Sequence, residues 1–151
     1  AIASPAYLAR MGMPTHPRDS SDHDVLQYAN VAPSEAWRFE IDGRSEYVKG
    51  RTRLRANSGE MLLAAVAAGL GIAMLPTFIA SPSIAKGSVE IVLAQWAPAE
   101  TGLYAVMPPG RSATARVRAL VDFLAARFGP EPTWDPCWEA MKAHGGTALP
   151  K

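Results

Sequence analysis

Residues 57–76, with the sequence NSGEMLLAAVAAGLGIAMLP, constrain the fold of this chain more than any other segment. Asn57 suits the N-cap of a helix over residues 58–68, and Glu60 in the first turn complements the positive end of the helix dipole. Two glycines end this helix, and residues 72–75 then form a wholly apolar strand of the kind that is buried on both faces. Together with the strands and helices that alternate along the rest of the chain, this segment predicts an α/β fold with at least some parallel pairing.

The rest of the chain also alternates strands with helices. Asp42-Gly43 is a hairpin turn signal between two half-buried strands. A segment rich in Pro, His, Asp and Ser, residues 11–24, is predicted to be a surface turn. The remaining predicted strands are residues 25–29, 37–41, 46–49, 52–56, 89–93 and 103–107, and the remaining predicted helices are residues 5–10, a short turn at 77–80, and 113–128.

The last predicted helix is amphipathic. Its apolar residues recur every three or four positions and share one face: Val117, Leu120, Val121, Leu124 and Phe128. Residues 130–151 beyond it are punctuated by Pro and Gly, and we expect a partly disordered C-terminal tail there.

Charge and cysteine usage limit the class of protein. With 15 basic and 14 acidic residues the net charge is +1, which indicates neither a nucleic-acid-coating nor a membrane-binding surface. Cys137 is the one cysteine, so no internal disulfide is possible and a reducing compartment is expected. The chain starts at Ala1 without a signal peptide or a methionine, which we interpret as a cut end of a cytoplasmic protein.

Arg51, Arg53 and Arg55 form the one basic cluster, and they alternate at strand spacing. Their side chains are therefore expected on one face of the sheet. Two interpretations stay open, namely a solvated strand face or an anion-attracting rim.

Three segments, in this order and spacing, resemble the effector-binding domain of LysR-type transcription regulators. The first is ASPAYL at residues 3–8, followed by Gly12, Pro14, Pro17 and His23. The second is the helix-and-strand segment of residues 57–76, which resembles the strongest motif of the family. The third is LYAV at residues 103–106 with Pro108, followed by RVRALVDFL at residues 116–124.

The resemblance implies a type 2 periplasmic-binding-protein-like fold, in which a mixed sheet is flanked by helices and two lobes close over a small ligand. Residues 1–100 would then be the second lobe, residues 101–129 a strand and helix that return to the first lobe, and residues 130–151 a tail. Part of the first lobe and the winged helix-turn-helix of the family would lie outside this chain.

The function implied by the resemblance is that of a ligand-sensing module. Its partners would be a small-molecule effector, for which we expect an organic acid, and DNA through the domain outside this chain. A homo-oligomer is expected, and no membrane partner. Effector binding would close the lobes and change how two protomers are set against each other.

Five residues are candidates for the effector site. Asn57 and Ser58 lie where a strand ends and a helix begins, where free backbone N–H groups favour an anion. Pro76, Thr77 and Phe78 follow the buried strand, and ligands of open α/β sheets lie outside the carboxyl ends of the strands. Two structural alternatives stay open: Asn57 simply caps its own helix, and Phe78 packs in the core.

Enzymatic chemistry has weak support, and neither a metal nor another cofactor is predicted. His16, His23 and His144 could act as bases, and Asp19, Asp22, His23 and Asp24 could bind a metal, but a solvated polar turn explains the acidic residues better. Cys137 is more consistent with an ordinary free thiol than with a nucleophile.

Two other binding functions were weighed. A helix-turn-helix around residues 65–80 is rejected, because the second helix has no Arg, Lys, Asn or Gln to read bases and is soon broken by Pro82. A solute-binding protein of a transporter shares the lobe architecture and stays open as the alternative, although the AGLGIAMLP motif favours the regulator.

Overall fold

The structure is a computed structural model that describes residues 1–29, 36–96, 104–107 and 114–129. The strands in these ranges are β1 (Ile2–Ala3), β2 (Asp24–Tyr28), β3 (Trp37–Ile41), β4 (Arg44–Val48), β5 (Arg51–Ala56), β6 (Ile72–Ala73) and β7 (Glu90–Ile91). The helices are α1 (Pro5–Met11), α2 (Gly59–Ala67), α3 (Thr77–Ala85) and α4 (Ala115–Phe128), with a 3₁₀-helix at Pro17–Asp22.

Five of the strands form a mixed sheet in the order β5-β2-β6-β1-β7. Strand β2 lies between β5 and β6 and is parallel to both, whereas β1 is antiparallel to β6 and β7. Helix α2 connects β5 to β6 and so carries the chain past β2. The predicted α/β fold with parallel pairing is confirmed, and the carboxyl ends of β5, β2 and β6 lie at one edge of the sheet.

Alternate residues of the central strands enter two hydrophobic clusters. Val25 and Ile72 belong to the first cluster, whereas their neighbours Leu26 and Ala73 belong to the second. Helix α1 and the β3–β4 hairpin contribute to the first cluster, and helices α2 and α3 to the second. A strand covered on both faces has no polar side, which explains why the segment that contains β6 is wholly apolar.

The hairpin forms where the Asp42-Gly43 signal predicts it. Asp42 has φ 52° and Gly43 has φ 73°, as a two-residue hairpin turn with two left-handed residues requires. Strand β4 begins at Arg44, two residues earlier than predicted, because so short a turn pairs Ile41 directly with Arg44.

The sequence predicts a surface turn over residues 11–24, but the structure shows a more ordered segment. Pro17–Asp22 is a 3₁₀-helix in which the His16 side chain accepts a hydrogen bond from the Arg18 backbone N–H at 3.2 Å, and Asp19 accepts one from the His16 N–H at 2.9 Å. Ser20, His23 and Asp24 are buried. Hydrogen bonding within the segment therefore lets the chain turn inward to start β2.

Elements beside the sheet edge differ from the predicted bounds. Strand β6 ends at Ala73, not at residue 75, and Met74 and Leu75 belong to the segment that connects it to α3. Strand β7 likewise covers only Glu90–Ile91 of the predicted 89–93. Helix α3 continues past Pro82 to Ala85, although we expected Pro82 to break it; burial of Ala80 and Ser81 offsets the missing N–H of the proline.

Helix α4 is confirmed as a helix, and Thr114 caps it by accepting a hydrogen bond from the Val117 N–H at 3.4 Å. None of its described side chains is buried, and Leu120 is 57% exposed. The strand predicted at 103–107 is not formed over residues 104–107, where Val106 is 91% exposed. Within the described ranges no neighbouring strand pairs with these residues, and an extended segment needs such a partner to form a sheet.

Candidate functional site

A cavity of about 320 Å³ lies at the carboxyl edge of the parallel strands, and we name it the edge cavity. Tyr28 ends β2, Met74 follows β6, and α2 and α3 both begin beside it. Its lining residues are Tyr28, Gly59, Met74, Leu75, Pro76, Phe78 and Ile79. This is where an open α/β sheet ordinarily holds a ligand.

The start of α2 is arranged differently from our expectation. Ser58, not Asn57, is the N-cap, and its Oγ accepts a hydrogen bond from the Met61 N–H at 3.2 Å. The prediction that Asn57 caps the helix is therefore wrong by one residue, because Asn57 belongs to the bend that follows β5.

Glu60 supplies a negative charge at the same helix end. Its carboxylate accepts a hydrogen bond from the Ser58 hydroxyl at 2.9 Å. The pKa of Glu60 is lowered, first by a hydrogen bond from its own backbone N–H and then by Ser58. An incoming anion at the start of α2 would have to compete with this carboxylate.

Two of the five candidate residues, Pro76 and Phe78, line the edge cavity. Asn57 and Ser58 directly precede the lining residue Gly59, and Thr77 lies between Pro76 and Phe78. Phe78 is 56% exposed, so the alternative that it is an ordinary core residue is wrong. It is placed instead at the rim of the cavity.

Sequence reasoning missed Tyr28, Met74, Leu75 and Ile79 as lining residues. The rule that ligands lie beyond strand ends could have found Tyr28, since it is the last residue of β2. Gly59 was missed because its role depends on a tertiary contact: a Cβ at this position would lie 2.6 Å from Ile79 Cδ1.

A second group of polar residues joins α1, β2 and β5. Tyr7 Oη accepts a hydrogen bond from the Asp24 N–H at 2.9 Å and lies 3.1 Å from His23 Nδ1. Arg51 and Arg53 donate to the two carboxylate oxygens of Asp24 at 2.6 and 3.0 Å.

The electrostatics of this group follow from its contacts. The pKa of Asp24 is lowered mainly by the hydrogen bond from Arg51, and burial raises the pKa of Tyr7. The arginine row is thus a solvent-exposed strand face, which agrees with the first of the two interpretations. It is not an open anion rim over Arg51 and Arg53, because both bind Asp24. The polar turn predicted around His23 and Asp24 is wrong for these two residues, which are buried.

The described residues offer little for metal chemistry. Among them, no group of three or more His, Cys, Asp or Glu side chains could hold a metal ion. His16 caps the 3₁₀-helix, and His144 and Cys137 lie outside the described residues. No helix within the described ranges is long and apolar enough to cross a membrane.

Comparison with known proteins identifies the family to which the chain is similar. A family model described as LysR substrate binding domain matches residues 1–129. The HTH-type transcriptional regulator PtxR of Pseudomonas aeruginosa is 31% identical over 132 residues, which are 87% of this chain and 42% of PtxR. The probable HTH-type transcriptional regulator LtrA of Klebsiella pneumoniae is 31% identical over 126 residues, which are 82% of this chain and 41% of LtrA.

Solved structures with similar folds include two regulatory domains. The regulatory domain of CrgA, a LysR-type transcriptional regulator from Neisseria meningitidis, has a TM-score of 0.62 and 28% identity, and the match covers 85% of this chain and 63% of that domain. The regulatory domain of AphB from Vibrio vulnificus has a TM-score of 0.62 and 27% identity over 83% of this chain and 63% of that domain. The chain spans about two fifths of the length of the curated relatives it matches.

Proposed function

The chain belongs to the LysR substrate-binding domain family, and on that premise we propose that it is the ligand-sensing part of a bacterial transcription regulator whose edge cavity binds a small organic effector. The single observation that carries the proposal is the position of the cavity. It opens where three parallel strands end and two helices begin, beside Asn57–Ser58 and Pro76–Phe78.

We further propose that the effector is an organic acid. Thr77 lies beside the cavity at the start of α3, and the positive end of a helix dipole, which favours an anion, lies at the start of both α2 and α3. Phe78 provides an apolar wall at the rim. The Glu60 carboxylate already lies at the positive end of α2. The carboxylate of the effector should therefore bind more favourably at the start of α3, beside Thr77.

The proposed division of the chain is residues 1–100 as the second lobe, 101–129 as the segment that returns to the first lobe, and 130–151 as the tail. The exposed apolar face of α4 supports this division, since an amphipathic helix needs a partner for its apolar side. We assign that partner to the first lobe, in the part of the regulator outside this chain.

Control of transcription would follow from closure of the two lobes over the effector, provided that the effector binds the closed state more tightly than the open one. In a homo-oligomer this closure would change how the protomers are arranged, and so how their winged helix-turn-helix domains bind DNA. The regulator would act in the cytoplasm. Names of the relatives as transcriptional regulators support this proposal over a transporter solute-binding protein. No catalytic turnover is expected.

The test uses the full-length regulator that contains this chain, with a reporter gene and with thermal melting in a panel of small organic acids. An effector should raise the melting temperature in proportion to the logarithm of its concentration. Asn57→Ala and Thr77→Val should weaken induction, whereas Met61→Ala on the outer side of α2 should not. If both site variants respond to the effector as the parent does, these residues do not line its site.

A further inference from the structure

The wall of the edge cavity is almost wholly apolar. None of its lining residues carries a charge, and the Tyr28 phenol is the one hydroxyl among their side chains. A hydroxyl group of a ligand placed against such a wall loses its hydrogen bonds to water without replacement. A hydrocarbon group in the same place gains from leaving water.

The size of the cavity limits what can fill it. At about 320 Å³ it has about twice the volume of the ~150 Å³ cavity that holds a single benzene ring. A body of one ring fills part of the space and a body of two fused rings fills most of it. Short unbranched acids would leave it largely empty.

Gly59 and Ile79 lie close together in the wall of the cavity. Both residues line it, and a Cβ at Gly59 would lie 2.6 Å from Ile79 Cδ1, which is too close for the side chain to stay in place. The nearest obstacle is the tip of a flexible side chain and not backbone. A methyl group at position 59 therefore displaces Ile79 while the two helices keep their positions.

Resting on the proposed function, we propose that the effector carries an apolar body of one or two rings, and that Ile79, supported by Gly59, determines how large this body can be. Sugars, polyols and polyhydroxylated acids should bind more weakly than acids with an apolar body, because Tyr28 is the one lining side chain with a hydroxyl group for them. Residues of α3 therefore determine the specificity. Phe78 lies at the rim of the cavity, and Ile79 lies in its wall close to Gly59.

The experiment measures the affinity of the full-length regulator by calorimetry for three acids of equal charge. Cyclohexanecarboxylate and quinate share a ring and a carboxylate and differ in four hydroxyl groups, and 2-naphthoate has a body of two rings. We expect cyclohexanecarboxylate to bind at least about 10-fold more tightly than quinate, as the loss of even one unreplaced hydrogen bond requires. Each further buried CH₂ equivalent of the ligand should raise the affinity by about 4-fold.

Variants then locate the site. The ratio of the affinity for 2-naphthoate to that for cyclohexanecarboxylate is compared between variants. Ile79→Ala should raise this ratio, and Gly59→Ala should lower it by about 4-fold or more. The double variant should return toward the parent ratio, because an alanine at position 79 leaves room for the new methyl group. Ile84→Ala is the matched control, since Ile84 lies in the same helix but does not line the cavity.

The outcomes separate this inference from the proposed function. Equal or tighter binding of quinate would overturn the apolar body and leave an acid-binding regulator intact. A ratio unchanged in Ile79→Ala and Gly59→Ala would overturn the role of this contact. If none of the three acids binds while another acid of the thermal-melting panel does, the inferred apolar ring body is wrong and the proposed organic-acid effector stands.

Discussion

Arg51 Nε donates a hydrogen bond of 2.6 Å to Asp24 Oδ1, and this contact joins the neighbouring parallel strands β2 and β5 beside their first residues. The Asp24 side chain is 9% exposed, whereas that of Arg51 is 70% exposed. A buried carboxylate is thus held by cations that keep their own contact with water. It lies at the amino end of β2, and Tyr28 of the edge cavity lies at the other end.

The pairing of Asp24 with Arg51 predicts that the free energy of unfolding decreases at acid pH. The pKa of Asp24 is lowered in the folded chain, mainly by Arg51, so the unfolded state takes up the proton first as the pH falls. The contribution to the free energy of unfolding is fully present above the unfolded pKa of about 3.9 and is lost as the pH falls through the folded pKa. Urea unfolding of the parent and of Asp24→Asn between neutral and acid pH checks this. A pH dependence as steep in Asp24→Asn as in the parent would contradict it.

The hydroxyl of Tyr7 predicts a second effect on stability. Tyr7 is fully buried, and its Oη accepts a hydrogen bond from the Asp24 N–H at 2.9 Å. Tyr7→Phe leaves that buried N–H without a partner, which should lower the free energy of unfolding by about 1–3 kcal/mol. Tyr47→Phe is the matched control, because Tyr47 is 65% exposed, and it should leave the free energy of unfolding unchanged. Equal effects of the two substitutions in urea unfolding would contradict this role of Tyr7.

Substitution by alanine should affect the free energy of unfolding strongly at Gly71 and only slightly at Gly59. A Cβ at Gly71 would lie 2.4 Å from the backbone oxygen of Asp24, whereas at Gly59 it would meet the movable tip of Ile79. Gly71→Ala must push apart β2 and the approach to β6, so it should lower the free energy of unfolding by about 3 kcal/mol or more. Gly59→Ala should change it by less than about 1 kcal/mol, because alanine also favours the helix. Chemical denaturation compares the two variants, and a Gly71→Ala protein as stable as Gly59→Ala would refute the tight backbone approach.

Helix α4 gives a test of the proposed division into lobes. In the described residues Leu120 is 57% exposed on its apolar face. If the first lobe covers this face in the full-length regulator, Leu120→Ala should lower the free energy of unfolding by about 2–4 kcal/mol, as for a buried leucine. Arg116→Ala in the same helix should change it little. A Leu120→Ala regulator as stable as the parent would show that this face has no partner there.

The sequence predicted most elements of the fold, because their signals are local. The helix and strand of residues 57–76, the hairpin at Asp42-Gly43 and the amphipathic α4 were all found from apolar periodicity, capping residues and turn residues. Bounds were wrong where tertiary contacts decide them. Burial of Ala80 and Ser81 carries α3 past Pro82, and residues 104–107 pair with no strand of the described ranges.

The site was less predictable. Pro76 and Phe78 were found because the rule for strand ends depends on the order of elements, which the sequence contains. Ile79 and Met74 were not found, because an apolar residue that lines a cavity has the same sequence signature as one that packs in a core. The contacts of His23 and Asp24 with Tyr7, Arg51 and Arg53 also join residues distant in the sequence, so no local pattern could predict them.

The location of the effector is the central claim, and methyl NMR of methionine-labelled full-length regulator tests it most directly. Met74 lines the edge cavity, whereas Met13 lines a second cavity of about 250 Å³ beside β7, and Met61 is exposed on α2. The Met74 signal is assigned from its loss in Met74→Leu. We predict that titration with cyclohexanecarboxylate shifts the Met74 methyl signal and leaves those of Met13 and Met61 in place. A shift of Met13 with an unmoved Met74 would place the ligand in the second cavity and contradict the account.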